Sequence, residues 1–269
     1  MARERIMARK GIILAGGSGS RLHPITKATS KQLLPVYDKP LIYYPLASVM
    51  KAEVDEILII VSSKQNEYLF QELLGFGDDF GVFIDYAVQE RPNGIAEAFL
   101  IAEDFLEGAP CVLALGDNIF HGHQFDVMLP NINDNQNVIF GCKVNNPSAY
   151  GVAEFDQHGR VISIEEKPEN PKSDYAVPGL YFYDNTVVEK AKSLKPSARG
   201  ELEITDLNNL YIQENKLSIV KLPPGTAWFD AGTHDDLLEA GQFIKAIQSR
   251  TGVTVADLKG IAIINEWLK

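Results

Sequence analysis

The chain has 269 residues, 45% of them hydrophobic, enough to bury one large core or two closely joined lobes. Its 36 acidic residues outnumber 25 basic ones, and the formal net charge of -11 argues against nucleic acid or an anionic membrane surface as a partner. No apolar run approaches the roughly 20 residues of a membrane span, and the basic start Met1 to Lys10 lacks the apolar stretch of a secretion signal, with Met7 as an alternative start.

In chain order, Gly11-Ile12-Ile13-Leu14 reads as a short buried strand, and Ala15-Gly16-Gly17-Ser18-Gly19-Ser20-Arg21 turns sharply after it. Glycines allow positive φ and close main-chain approach to a ligand, as phosphates require, and Arg21 adds a planar charged fork. A dinucleotide fingerprint starting at Gly17 fails because Leu22 stands where glycine is needed, and a P-loop starting at Gly11 fails at Gly17, where lysine is needed. The residues alone leave a phosphate cradle and a structural turn both open. Ile57 to Val61 is a β-branched run expected of a doubly covered strand, Tyr68 to Leu74 a helix and Val82 to Val88 a strand. Gly94 to Leu106 carries apolar residues at helical spacing after Pro92 and Asn93, and Cys111 to Leu115 is the next buried strand, ending in Gly116-Asp117-Asn118. Such alternation favours a mostly parallel sheet with helices on both faces, whose ligands bind beyond the carboxyl ends of the strands. The glycine turn and the Gly116 turn both fall at such ends.

The second half is more mixed. Val138 to Val144, Val152 to Phe155, Val161 to Ile164 and Leu180 to Tyr183 read as strands, and Leu202 to Gln213 and Leu237 to Ile247 as amphipathic helices. With no repeat or linker, the expectation is one α/β domain over 1–269: a first half (about 11–120), a smaller mixed half (about 121–235) and C-terminal helices (236–269). Cys111 and Cys142 sit in apolar runs without metal-ligand spacing and are expected as buried free thiols of a reducing cytoplasm. His121-Gly122-His123 lacks a third ligand in sequence. His234, Asp235 and Asp236 after Thr233 read as a capped, acid-rich helix start, and Tyr181-Phe182-Tyr183 as core.

Further motifs add to the turn: Leu22-His23-Pro24, Ser30-Lys31-Gln32-Leu33-Leu34-Pro35-Val36, Glu165-Glu166-Lys167-Pro168 and Trp228-Phe229-Asp230-Ala231-Gly232-Thr233. Together these resemble the sugar nucleotidyltransferases, whose signature is a G-G-x-G-T-R-L-x-P turn followed by K-x-L-L-P-V; Ser20 stands for the usual threonine. Gln32 beside Lys31, Pro178 to Tyr183 and Arg199-Gly200-Glu201-Leu202-Glu203-Ile204-Thr205-Asp206 look most like the glucose-1-phosphate thymidylyltransferases among them.

The resemblance implies a nucleotide-diphospho-sugar transferase fold, with about 11–120 as its nucleotide-binding half and about 121–235 as its sugar-binding half, and attack of a sugar 1-phosphate on the α-phosphorus of a nucleoside triphosphate, with pyrophosphate leaving. Its substrates would be dTTP and glucose 1-phosphate, its cofactor Mg²⁺, and its product the first intermediate of dTDP-sugars of the rhamnose type. It also implies a homo-oligomer, commonly a tetramer. Carried over residue by residue, Asp117 and Asp230 would hold the metal, Lys31 the triphosphate and Arg21 the α-phosphoryl group. Lys167 would hold the sugar phosphate and Glu166 the sugar hydroxyls. Gln89 and the Gly94 backbone would read the base, Gln32 would lie near the deoxyribose, and Leu14, Gly16, Gly17, Gly19, Ser20 and Pro92 would complete the nucleotide side. Asn118, Tyr150, Gly151, Val177, Gly179 and Trp228 would complete the sugar side, with Tyr181 a candidate further contact. Strand alternation would point Glu165 and Lys167 one way and Glu166 the other, unless Pro168 ends the strand early. A uridylyltransferase acting on the same sugar phosphate shares Gln89 and Gly94. A noncatalytic sugar-nucleotide sensor would keep the fold, but intact Arg21, Lys31, Asp117, Lys167 and Asp230 argue against it, and Leu22 argues against a dehydrogenase.

Overall fold

The structure, a computed structural model, describes residues 8–17 and 19–269. The proposed start at Met7 and Ser18 of the glycine turn lie outside the described residues.

The strands are β1 (Lys10–Ala15), β2 (Pro35–Val36), β3 (Lys39–Pro40), β4 (Glu56–Val61), β5 (Phe83–Val88), β6 (Cys111–Leu115) and β7 (Asn118–His121). They continue with β8 (Asn137–Lys143), β9 (Gly151–Phe155), β10 (Val161–Glu166), β11 (Tyr175–Ala176), β12 (Leu180–Tyr183), β13 (Leu217–Lys221) and β14 (Ala227–Asp230). Helices α1 (Tyr43–Lys51), α2 (Lys64–Leu74), α3 (Glu97–Ile101), α4 (Glu103–Leu106) and α5 (His123–Met128) belong to the first half. The second half holds α6 (Val187–Ser193), α7 (Ile204–Gln213), α8 (His234–Thr251) and α9 (Leu258–Ile264).

Among the described residues ten strands form one sheet, in the order β10-β9-β11-β8-β12-β6-β1-β4-β5, with β13 also on β8. The β6-β1-β4-β5 portion is parallel, as the βα alternation predicts, and β12 joins it antiparallel to β6. The apolar runs are continuous because both faces are covered. Ile13, Ala15, Ile57 and Ile59 pack with α1, α8 and α9, whereas Ile12, Leu58 and Ile60 pack with α3, α6 and α7.

Two expectations need correction. The helical spacing from Gly94 to Leu106 resolves into α3 and α4, and Gly94 precedes them at φ 109°, where a Cβ would collide with the Leu202 backbone. Cys142 is half-buried rather than buried, since it stands next to the exposed end of β8 at Lys143; Cys111 is fully buried. α8 does open as expected, with the Thr233 hydroxyl accepting from the Asp236 N–H and the Asp236 carboxylate accepting from the Thr233 N–H. Among the described residues no helix is long and apolar enough to cross a membrane.

Candidate active site

β1 and β6 run side by side and parallel, with Leu14 opposite Leu115, so the turns that follow them emerge on the same rim. In the first turn Gly17 and Gly19 take φ values of 97° and 56°, where a side chain is strained, and Arg21 follows in a short 3-10 turn. The second turn carries Asp117. Asp230 reaches it from far along the chain because β14 pairs antiparallel with β7, setting Asp230 opposite Asn118.

Two adjoining pockets occupy this rim, and Asp117, Leu115 and Ile95 line both. The first, with about 240 Å³ of internal space, is bounded by Leu14, Gly16, Gly17, Gln32, Gln89, Pro92 and Gly94. The second, about 160 Å³, is bounded by Arg21, Asn118, Tyr150, Gly151, Glu166, Lys167, Val177, Gly179, Trp228 and Asp230, among others. Most of the expected nucleotide and sugar-phosphate residues thus separate into two neighbouring chambers, but Arg21, expected with the nucleotide, lines only the sugar-side one. Gly19, Ser20 and Lys31 line neither: Gly19 turns its carbonyl to the Thr26 hydroxyl at 2.7 Å, Ser20 is exposed, and Lys31 is buried against Asp117.

The wall between the chambers is polar and ordered. Lys31, only 9% exposed, donates from Nζ to Asp117 Oδ2 at 2.7 Å, and Asn118 Nδ2 donates to Asp117 Oδ1 at 2.8 Å. Asn118 Oδ1 accepts from the Trp228 indole at 2.6 Å and the Gly179 N–H at 2.9 Å, tying β7, β14 and the approach to β12 together. Burial alone would raise Asp117, but Lys31 and Asn118 outweigh it and hold the carboxyl below its usual range. Asp230 goes the other way: burial, then the charges of Asp117 and Asp236, push it up to about 6 against the weaker pull of Lys31 and Arg21. Two carboxylates brought together with that result leave negative charge to be compensated.

On the sugar side, β10 ends at Glu166 and Lys167 takes φ 46°. Alternation therefore stops at Lys167. Glu166 and Lys167 line the same pocket, with Lys167 Nζ 3.6 Å from Glu166 Oε1 and the Lys167 N–H donating to the Tyr150 carbonyl at 3.0 Å. The Tyr150 ring lies 5.1 Å from that of Trp228.

Sequence reasoning missed the contribution of α7. Its Thr205 and Asn208 line the sugar-side pocket, and the Thr205 hydroxyl donates to Glu166 Oε2 at 3.1 Å. Asn208 accepts from the buried Tyr183 hydroxyl at 2.6 Å. Arg199 was also missed: its guanidinium holds Glu203 at 2.7 Å and lies 3.7 Å from Glu166, adding a cation beside Lys167. The segment Arg199 to Asp206 carried the resemblance, but nothing in its spacing shows that it folds against the β9–β10 hairpin. His121 packs edge-on against Phe243, at the far end of β7 from Asn118.

The nucleotidyl transferase family model matches residues 10–247. The chain belongs to the nucleotidyl transferase family. It is 55% identical over 262 residues to a glucose-1-phosphate thymidylyltransferase of Xanthomonas campestris pv. campestris, covering 97% of this chain and 88% of that protein. The enzyme of the same name from Neisseria meningitidis is 52% identical, over 96% of this chain and 90% of its own length. A crystal structure of a candidate glucose-1-phosphate thymidylyltransferase from Bacillus anthracis, in complex with sucrose, superposes with a TM-score of 0.80 at 43% identity, covering 88% of this chain and 95% of that one. UDP-glucose pyrophosphorylase with UDP-glucose shares the fold, at TM-score 0.78 and 23% identity, over 89% of this chain and 99% of that one.

Proposed function

We propose that this chain is a glucose-1-phosphate thymidylyltransferase, converting dTTP and glucose 1-phosphate to dTDP-glucose and pyrophosphate. The observation that carries the reading is the pair of chambers joined at Asp117, with Gln89 and Gly94 in one and Glu166 and Lys167 in the other. A nucleotide and a sugar phosphate bound in them would meet beside Lys31, Arg21 and the two aspartates. The enzymes of that name at 55% and 52% identity support the same chemistry.

A sugar phosphate is ionised near neutral pH, so its oxygen attacks the α-phosphorus without a general base, and the bond to the departing pyrophosphate breaks. Catalysis then consists of holding two polyanions in line and stabilising the charge that redistributes at the α-phosphorus. Lys167, at the pocket wall and beside Arg199, would hold the sugar phosphate. Arg21 would meet the α-phosphoryl group, and Lys31 the triphosphate. Asp117 and Asp230 fit Mg²⁺, which takes one or two carboxylates and completes its shell with phosphate oxygens and water. Their mutual repulsion is what a divalent cation would relieve. When bound, Mg²⁺ would neutralise phosphate charge; the chain's own residues do the positioning.

Pyrophosphate release is the test, measured with glucose 1-phosphate and Mg²⁺ against dTTP, UTP, CTP, ATP and GTP in parallel. dTTP is expected to give the highest kcat/KM, with UTP second because it offers the same base edge to Gln89. A preference for CTP or a purine nucleotide would overturn the assignment.

A further inference from the structure

An amide side chain has two faces, one that donates and one that accepts, and which of them meets a ligand depends on what holds the other. Gln89 is 7% exposed and lines the first chamber. Its Nε2 donates to Glu97 Oε2 at 2.7 Å and to the Gly94 carbonyl at 3.1 Å, two acceptors that leave the amide no reason to turn over. Turned over, Oε1 would face a carboxylate and a carbonyl with no proton between them, which is repulsive. Glu97 is itself held, since Asn93 Nδ2 donates to its Oε1 at 2.7 Å, and it sits in the first turn of α3, where negative charge is favourable. Its Oε1 accepts no hydrogen bond among the described residues and lies toward Gly16, 3.3 Å from where a Cβ on that glycine would stand, at the chamber wall.

We propose that Glu97 is a positioning residue for base selection, holding the Gln89 amide so that only its carbonyl oxygen is presented to the nucleobase. The proposal rests on the reading of Gln89 as base-facing and deepens it. A fixed acceptor at that place takes a ring N–H. Thymine and uracil carry a proton at N3 and satisfy it; cytosine carries a lone pair there and sets acceptor against acceptor. Discrimination against cytosine nucleotides is therefore built by a residue that touches no ligand, a repulsive device directed at the wrong base. An amide free to rotate would serve either base and lose that discrimination.

The test is the ratio of kcat/KM for dTTP to that for dCTP, with glucose 1-phosphate as the second substrate. This ratio is independent of how much of a preparation is active, so a partly misfolded variant still reports. Glu97→Met removes the shorter, charged acceptor at similar size and leaves Nε2 only the 3.1 Å contact to the Gly94 carbonyl, and the ratio is expected to fall about tenfold or more, the scale of a lost hydrogen bond to a charged group. Glu97→Gln keeps a carbonyl that accepts from Nε2 and is expected to stay within about twofold of the parent, since the acceptor rather than the charge sets the amide. Gln89→Ala is the control for the underlying reading, and there the ratio should collapse. If it collapses in Gln89→Ala but holds in Glu97→Met, Glu97 does not position the amide and the proposal is overturned. A ratio falling equally in Glu97→Met and Glu97→Gln overturns it too, because charge would then be the cause. An unchanged ratio in Gln89→Ala instead overturns the base-facing reading itself. Should Glu97→Met yield no soluble protein, Glu97→Ala carries the same expectation.

Discussion

Lys167 and Arg21 both line the sugar-side pocket, yet in the proposed reaction they would face different charges, and the difference is measurable. Lys167 would contact a phosphate that is anionic throughout the reaction, so Lys167→Ala should chiefly raise the KM for glucose 1-phosphate. Arg21 would meet charge that develops at the α-phosphorus, so Arg21→Ala should chiefly lower kcat. Each loss is expected on the order of 30- to 1000-fold, the range for deleting a desolvated charged contact. Steady-state kinetics on both variants decide it: an unchanged KM in the first and an unchanged kcat in the second would reject this division. Asp230 gives a second prediction at this scale. Its carboxyl is raised to about 6, so its charge becomes a cost to folding as pH rises through that value and is absent below the ordinary carboxylate range. Asp230→Asn should therefore leave the metal-free protein at least as heat-stable at pH 7.5 while losing most turnover. A lower melting temperature together with retained turnover would contradict both halves of that expectation.

Elements show where the sequence was legible and where it was not. β1, β4 and β6 could be read from continuous apolar runs because both of their faces are buried, and α8 from Thr233 and the acids after it. β7 and β14 could not, since their short antiparallel pairing depends on residues distant in sequence, although that pairing is what brings Asp230 to Asn118. α7 was visible as a helix, but nothing in its periodicity shows that Thr205 and Asn208 face the sugar-side pocket. Most of the residues lining the two chambers were named from motifs, which record geometry the local pattern does not. Away from the site, Asp184 joins three elements. It accepts from Asn137 at 3.0 Å, from the Thr186 hydroxyl at 2.5 Å and from the Tyr211 hydroxyl at 3.1 Å. Burial would raise its pKa, but these hydrogen bonds outweigh burial and hold it low. A depressed carboxyl adds stability above its unfolded pKa and loses it as pH falls through the folded value. Asp184→Asn should thus cost about 1–3 kcal/mol at pH 7 and less at pH 3. Urea midpoints at the two pH values test this, and an equal cost at both would exclude the charge as the cause.

At the scale of the whole molecule, the two buried clusters lie on opposite faces of one sheet, and strands from both halves of the chain hydrogen-bond side by side through β6 and β12. The chambers take walls from the β1 turn, the β6 turn, the β9–β10 hairpin, α7 and β14, so a ligand that fills both bridges elements from either half. Such a ligand should stabilise the chain as one unit. Product dTDP-glucose at about 100 times its Kd would add about 2.7 kcal/mol by mass action, which for a domain of this size corresponds to roughly 5–10 °C in Tm. Calorimetry with and without product should show one transition that moves intact. Two transitions, of which only one shifts, would mean that the nucleotide and sugar halves unfold separately. The shared sheet would then be a structural seam rather than the cooperative centre that the continuous pairing from β10 to β5 implies.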